Sequence, residues 1–383
     1  MDEKANNRSK IKINVLSPGR FHVCDLSREL DKQGFDVKFY SFVPTKRAMS
    51  FGLPQRCSVS LVYVLAPFLA LEKVIVKRHW AGRLRRWVQD VLTGLFMRRC
   101  DVCIAMSGSF IYAPKRAKKC GSIVILERGS KHILEQRRIL ESLPSMKGKK
   151  PVPDDNVKRE LEGYAIADYI AVATQHVKDS FLKHEYPAEK LFVNPYGVNL
   201  SMFTSVKNAE RKYDVIMVGG WSYRKGCDLI IEAIRRTGLE FLHVGGIVDC
   251  PFPQEEYFTH VNPVDEKRLI DYYSQAKVFL LPSREEGLAL VQAQAIACNL
   301  PLIGSPDSGA VDLKKLVKYP EYITIVKDYT VDAVVDAIHE ALNSYNRLRG
   351  TYAGDAIINL TWEAYGKRYA EFIDKIMATR KKQ

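Results

Sequence analysis

Short apolar runs recur along the chain, each closing on glycine, serine or charged residues, and many are followed by a stretch with helical spacing. The first spans residues 11–16 and stops at Ser17-Pro18-Gly19-Arg20. Phe21, Cys24, Leu26 and Leu30 then fall on one helical face, Gly34 supplies a stop, and 37–42 reads as a second strand. This is the βαβ opening of a doubly wound domain. Further strands are expected over 102–106, 122–126, 168–173 and 190–194, with helices over 157–167 and from Thr174 or Gln175 to Lys183. A hinge is expected near 200–211. A second series begins at 213–218, which runs into Gly219-Gly220-Trp221-Ser222-Tyr223-Arg224-Lys225-Gly226 and a helix over 228–235. Strands at 239–244, 260–264, 278–281, 300–303 and 322–326 follow, with helices over 266–275, 331–342 and 360–382. Residues 305–310 read as a loop. The pattern predicts an α/β chain of two Rossmann-like doubly wound domains facing an interdomain cleft.

The most informative stretch is 278–303. An apolar strand is broken by Pro282-Ser283, then come Glu285-Glu286-Gly287, and Leu290, Val291, Ala293, Ala297 and Cys298 make a broad helical face before Pro301. Parallel sheets bind ligands at such loops, where strand C-termini meet helix N-termini. A helix N-terminus attracts anions, and glycine lets a ligand approach the backbone. Glu286 either caps those free N–H groups or serves a ligand. A second strand–glycine loop–helix unit, at 219–226, precedes this one by about sixty residues. Charged groups beside a glycine also follow the strand at 122–126, in Glu127-Arg128-Gly129-Ser130-Lys131-His132. In the first loop Gly19, Arg20 and His22 are either acceptor-side residues or an ordinary turn with a surface arginine.

Charge changes the picture of the first half. The net charge is +14, yet residues 1–210 hold 36 Lys and Arg against 21 Asp and Glu, while 211–383 hold 22 against 23. Residues 71–150 alone hold 19 against 6. That excess fits an anionic partner (nucleic acid, an acidic membrane surface or a phosphorylated substrate) or a solvated basic face. Within it, 80–99 combine an apolar face of Trp80, Leu84, Trp87, Val88, Val91, Leu92, Leu95 and Phe96 with Arg83, Arg85, Arg86, Arg98 and Arg99. Such a helix either lies in a membrane interface or packs on the sheet with its arginines in water. No recognition motif for nucleic acid accompanies these residues, so none is expected as a partner. The apolar stretch 61–76 is interrupted by Pro67, Glu72 and Lys73 and is read as buried structure rather than a membrane span. The start, 1–10, is polar and has no signal-peptide core. The eight cysteines are scattered; Cys100-x-x-Cys103 has no second pair to complete a zinc site. Together these point to a reducing cytoplasm, with the inner face of the membrane as the alternative place of work.

Pro282-Ser283-x-x-Glu286-Gly287-x-x-Leu290, with Gln294 eight positions after Glu286, resembles the signature of the retaining, nucleotide-sugar-dependent glycosyltransferases of family 4, which have the GT-B fold. The likeness covers most of the chain and is strongest over 168–311. It implies an N-terminal acceptor-side domain over 1–205, a nucleotide-sugar domain over 206–360, and a helix over 361–383 that crosses back to the first domain. It implies that Glu286 faces the donor sugar and that the N–H groups of Gly287, Leu288 and Ala289 face the diphosphate. Lys225 occupies the place of the diphosphate-binding lysine, beside Gly219 and Gly220. The family's partner arginine is absent at Gly220, and Arg224 or Arg128 is the candidate substitute, although neighbouring residues at a helix start are expected to point apart. The ribose-binding carboxylate is replaced by Gln294, which can still accept one hydrogen bond. Glu127 or Arg128 takes the place near which many relatives have a histidine, with His132 one helical turn on, either a substrate contact or an ordinary helix residue; Arg128 and His132 join Glu286 and Lys225 as candidate catalytic residues. Where the family's interdomain crossing usually has Asp, Asn199 follows Gly197-Val198.

The expected reaction is a retaining, hexosyltransferase-type transfer from a nucleotide-diphosphate sugar to a glycan or lipid-linked acceptor, in polysaccharide or glycolipid synthesis. No cofactor is expected, and no D-x-D metal motif is present. Two other classes stay open: a non-catalytic membrane or nucleic-acid adaptor with a degenerate donor site, and a nucleotide-sugar epimerase or phosphorylase on the same fold.

Overall fold

The computed structural model describes residues 8–66, 68, 78–206, 209–348, 357 and 359–380. The polar start, most of 61–76, part of the expected hinge, the basic end at 381–383 and the side chain of Trp80 lie outside the described residues.

The apolar runs form two wholly parallel sheets. In the first, β1 (Lys12–Ser17), β2 (Asp36–Ser41) and β3 (Ser58–Ser60) lie to one side. On the other lie β4 (Val102–Met106), β5 (Ile123–Arg128), β6 (Tyr169–Val172) and β7 (Leu191–Val193), giving the order β3-β2-β1-β4-β5-β6-β7. The second sheet contains β8 (Tyr213–Val218), β9 (Phe241–Val244), β10 (Phe258–Val261), β11 (Ala276–Leu280), β12 (Leu302–Gly304) and β13 (Ile323–Ile325), in the order β10-β9-β8-β11-β12-β13. Helices cover the faces, so central strands are buried on both sides and read as continuous apolar runs. Ile13, Val15 and Leu16 of β1, and Val278, Phe279 and Leu280 of β11, have no exposed surface.

Strand order reverses between β1 and β4 and again between β8 and β11. At such switch points the flanking loops diverge and leave a crevice at the strand C-termini. The loops at 17–20, 107–109, 219–226 and 281–289 therefore share one region between the sheets. The helix Trp362–Arg380 packs on Phe21–Lys32, where a Cβ on Gly366 would collide with Glu29. Arg8 Nη2 holds Asp374 at 2.7 Å, and Arg368 Nε donates to Asn194 Oδ1 at 2.7 Å.

Some elements differ from expectation. The strand expected at 260–264 sits at Phe258–Val261, because Pro263 has no N–H to extend the ladder. The helix expected over 266–275 divides into a tight turn, Glu266–Arg268, and a short helix, Leu269–Tyr273. The loop at 305–310 leads into a helix, Ala310–Leu316. The basic helix, Arg78–Phe96, buries only part of its expected apolar face: Val88 and Leu92 pack against Phe42, Leu61 and Leu65, whereas Trp87, Leu95 and Phe96 are more than half exposed. No helix of the described residues is long and apolar enough to cross a membrane.

Candidate active site

After β8 the chain turns through two glycines with left-handed φ, Gly219 at +127° and Gly226 at +78°. A Cβ on Gly226 would lie 2.6 Å from the Pro282 carbonyl oxygen, so the close approach of this loop to the one after β11 requires glycine there. Between them, Tyr223–Lys225 forms a single 3₁₀ turn. Lys225 Nζ lies 3.2 Å from Glu286 Oε2, and Arg224 Nη1 lies 3.3 Å from the same oxygen. The expectation that neighbours at this point diverge is corrected: the longer arginine reaches round the tight turn and both cations meet one carboxylate. Arg224 Nη1 also donates to the Glu285 carbonyl at 2.7 Å. Burial pushes the Glu286 carboxyl upward, but Lys225 and Arg224 outweigh it and hold it below its ordinary value.

Across from this cluster stands the first sheet. Arg128, at the end of β5, is buried and forms an ion pair at 2.7 Å with Glu160. It also donates to Gln136 Oε1 at 2.9 Å and to the Lys131 carbonyl at 2.8 Å. Ser107, beyond β4, donates to the other Glu160 oxygen. Between these groups and Gly220, Ser222, Arg224 and Lys225 lies a cavity of about 810 Å³. Gly220, where the family has arginine, lines it; a Cβ there would meet Val248 Cγ2 at 3.0 Å.

The structure does not bring every candidate to this cavity. His132 turns away: its ring stacks on His184 at 4.4 Å and packs against Tyr164 and Phe181, and its Nδ1 accepts from Leu134 N at 3.4 Å. Burial, followed by the nearby charges of His184 and Arg128, lowers it to about 4. It starts the helix Ile133–Glu141 as an N-cap and lies outside the cleft. His22 is buried beside Glu127, with 2.9 Å between Nε2 and Oε2, under the ring of Tyr196. Gln294 is buried with Oε1 accepting from the Tyr273 hydroxyl at 3.2 Å and Nε2 donating to Glu266 Oε1 at 3.1 Å. Gly287, Leu288 and Ala289 line neither this cavity nor the smaller one near Arg20. A Cβ on Gly287 would collide with the Gly129 carbonyl, so the first domain covers the helix start that was expected to face a diphosphate. Arg20 borders the second cavity, of about 500 Å³, where it stacks 3.8 Å over Phe51 and meets Glu266 at 2.5 Å, whereas Gly19 lines neither cavity.

Sequence reasoning missed the residues that join the two domains. Glu285, fully buried, accepts from Lys131 N at 3.2 Å and from Gln136 Nε2 at 3.0 Å. Lys131 Nζ pairs with Asp307, and His176 sets Nε2 2.9 Å from the Glu286 carbonyl and Nδ1 3.2 Å from Asp312. Glu285 had a signal, a second carboxylate beside Glu286 in an otherwise apolar stretch. His176 and Asp312 had none, because their meeting depends on how the domains are packed. Among the described residues, no group of three or more His, Cys, Asp or Glu could hold a metal ion.

Residues 212–344 match the family model described as glycosyl transferases group 1. A probable sucrose-phosphate synthase of Thermosipho melanesiensis is 25% identical over 254 residues, which is 57% of this chain and 57% of that one. The chain spans between 46% and 62% of the length of the three curated relatives it matches. Among solved structures, sucrose-phosphate synthase from Thermosynechococcus elongatus superposes with a TM-score of 0.68 at 17% identity, covering 97% of this chain and all of the other. The Anabaena Alr3699/HepE complex with UDP-glucose gives 0.64 at 11% identity, covering 95% of this chain and all of the other. At such identities the likeness shows the fold. The chain therefore has the two-domain GT-B frame, and its second half carries a glycosyl transferases group 1 domain.

Proposed function

We propose that the chain is a retaining hexosyltransferase that moves a sugar from a nucleotide-diphosphate donor to a glycan or lipid-linked acceptor without a metal ion. The place of work in this reading is the cytoplasm, with the inner face of the membrane as the alternative. The observation that carries it is the convergence of Lys225 and Arg224 on Glu286 at the switch point of the second sheet, opposite the wall formed by Arg128 and Glu160. The acceptor oxygen attacks the anomeric carbon, the bond to the diphosphate breaks with its electron pair on the leaving oxygen, and the acceptor's proton passes to the diphosphate. Charge grows on the leaving group, and two fixed cations stabilise it best where water is excluded. Arg224 takes the part of the arginine missing at Gly220. Retention through a glycosyl-enzyme needs a second, available carboxylate. Of the carboxylates lining the cavity, Glu160 is engaged by Arg128 and Asp249 accepts from Tyr223 N, while Glu285 is held by Lys131 and Gln136, which favours attack on the face the diphosphate leaves. The fold neighbour solved with UDP-glucose supports a nucleotide-sugar donor.

A thermal-shift screen of UDP, GDP, ADP and their sugar conjugates, in the presence of a chelator, tests this reading. Occupancy at a hundred times Kd should stabilise by about 2.7 kcal/mol. One nucleotide should raise the melting temperature in the wild type and not in Lys225→Ala. No shift with any of them, or one that Lys225→Ala leaves unchanged, would overturn the reading.

A further inference from the structure

Arg224 is held by groups from both domains, and they do different things. Its main chain is clamped by the loop after β11: Arg284 N donates to the Arg224 carbonyl at 2.9 Å, and Arg284 Nη1 donates to the Tyr223 carbonyl at 2.8 Å. Arg284 is itself fixed by a two-pronged ion pair with Asp228, at 2.7 Å to each oxygen. The Arg224 head meets the Glu285 carbonyl at 2.7 Å and Glu286 Oε2 at 3.3 Å, still within the second domain. The remaining hold is the Glu285 carboxylate, whose Oε2 lies 3.5 Å from Arg224 Nη1. That oxygen also accepts from Gln136 Nε2 at 3.0 Å, and Oε1 accepts from Lys131 N at 3.2 Å. Both of these donors belong to the first domain. Gln136, on the helix Ile133–Glu141, has its amide oxygen taken by Arg128 Nη2, so it presents N–H to Glu285. These contacts of the Arg224 head fall on Nη1, which leaves the Nη2 and Nε N–H groups for phosphate oxygens.

We propose that Glu285 is a positioning residue that sets the Arg224 guanidinium for the donor diphosphate when the domains close. The proposal rests on the functional reading that Arg224 takes the part of the cation missing at Gly220. Glu285 has no exposed surface, and a buried carboxylate keeps its charge when its oxygens are met by donors. In the closed molecule the first domain supplies the donors that fix it, and it draws on Arg224 in surroundings of low dielectric. When the domains part, the donors of Gln136 and Lys131 withdraw, water reaches the carboxylate, and its pull on Arg224 is screened. Lys225 pairs with Glu286 inside the second domain and is set whether the cleft is open or closed. Arg224 is thus the cation that closure completes. Stabilisation of the leaving diphosphate reaches full strength once water has been excluded, which protects the donor from hydrolysis in the open form.

The test reads Arg224 without ligand and then with it. Arginine side-chain NMR on the full chain follows the Arg224 Nε–H group, assigned by its disappearance in Arg224→Lys. It should be rigid in the wild type and mobile in Glu285→Gln, which keeps the shape and loses the charge. Gln136→Leu, which withdraws a first-domain donor, should loosen it in the same direction. An Arg224 that stays rigid in both variants overturns the proposal. Binding of UDP, GDP and ADP is then measured by calorimetry. For the nucleotide that the wild type binds, Glu285→Gln should weaken binding by roughly tenfold, the loss of one charge-assisted contact. Gln136→Leu should weaken it by a smaller factor. In an Arg224→Ala background neither substitution should cost more than about twofold, because the group through which they act is gone. A residue that merely tied the domains together would cost the same in both backgrounds, and that additivity overturns the proposal. Unchanged affinity in Gln136→Leu also overturns it, since Arg224 would then be set without the first domain. Melting temperatures without ligand verify that each variant folds. If no nucleotide binds the wild type while Arg224 still loosens in Glu285→Gln, the donor reading falls and the positioning role stands.

Discussion

Gln294 is engaged at both ends of its amide, and its partner Glu266 reaches on to Arg20. A carboxylate at 294 would face Glu266 directly, so the glutamine and Glu266 form a compatible pair where two glutamates would not. Gln294→Glu should therefore destabilise the protein at neutral pH. Like charges at this separation raise one carboxyl's pKa in the folded state. The folded variant would take up a proton more readily than the unfolded chain, and the loss should shrink as pH falls toward ~5. Melting temperatures of wild type and variant across that range check this; a pH-independent gap would mean the defect is steric. His132 gives the opposite slope. Its folded value of about 4 lies below the ordinary 6.5, so the unfolded chain binds the proton more tightly. Its contribution is complete above about pH 6.5 and is lost progressively toward pH 4. His132→Asn keeps an N-cap acceptor for Leu134 N and removes the titration. The urea midpoint of this variant should fall less steeply between pH ~7 and ~4.5 than that of the wild type.

Elements were legible where one physical cause decided them. Central strands such as β4 and β8, buried on both faces, stand at the expected residues 102–106 and 213–218. The edge strand Ser58–Ser60 is half-buried and mostly serine, so no apolar run marked it. The Glu286 loop was found from its spacing. Its lock beneath Gly129 was not, because that contact depends on the packing of two domains. The helix Arg78–Phe96 shows the same limit. Periodicity gave one apolar face, but the face divides, with Asp90 turned inward to accept the N–H groups of Ile111, Tyr112 and Ala113. Trp87, Leu95 and Phe96 are left exposed in the most basic part of the chain. Exposed aromatic and aliphatic groups among arginines suit an acidic bilayer surface. On this basis the wild type should float with vesicles rich in phosphatidylglycerol, less so at high salt. Trp87→Glu with Phe96→Glu should lower that binding by about tenfold or more, since each removes apolar burial and adds a repelled charge. Equal flotation of wild type and variant would remove the helix from any membrane role.

At the scale of the whole molecule the arrangement is that of a closed enzyme. Arg20 to Glu266, Lys131 to Asp307, Glu285 to Lys131 N and Gln136, and His176 to Asp312 and the Glu286 carbonyl all tie the first domain to the second. With Gly287 beneath Gly129 and Leu288 and Ala289 buried, the helix start that the resemblance assigns to the diphosphate is covered while these ties hold. Donor entry at that helix start therefore requires the domains to part, and polar ties are suited to this. Ion pairs exchange for water at little net cost, whereas a continuous apolar interface would resist separation. Closure then excludes water from the bond being broken. Arg20→Ala combined with Lys131→Ala removes two of the ties without touching Lys225 or Glu286. In small-angle scattering this double variant should have a larger radius of gyration than the wild type, and saturating nucleotide sugar should reduce the difference. The same variant should hydrolyse donor to water more readily relative to transfer, because a cleft that opens more often admits solvent. An unchanged radius of gyration would mean that the helix Trp362–Arg380 and the buried contacts at Glu285 hold the domains together by themselves, and that these two ion pairs follow closure rather than govern it.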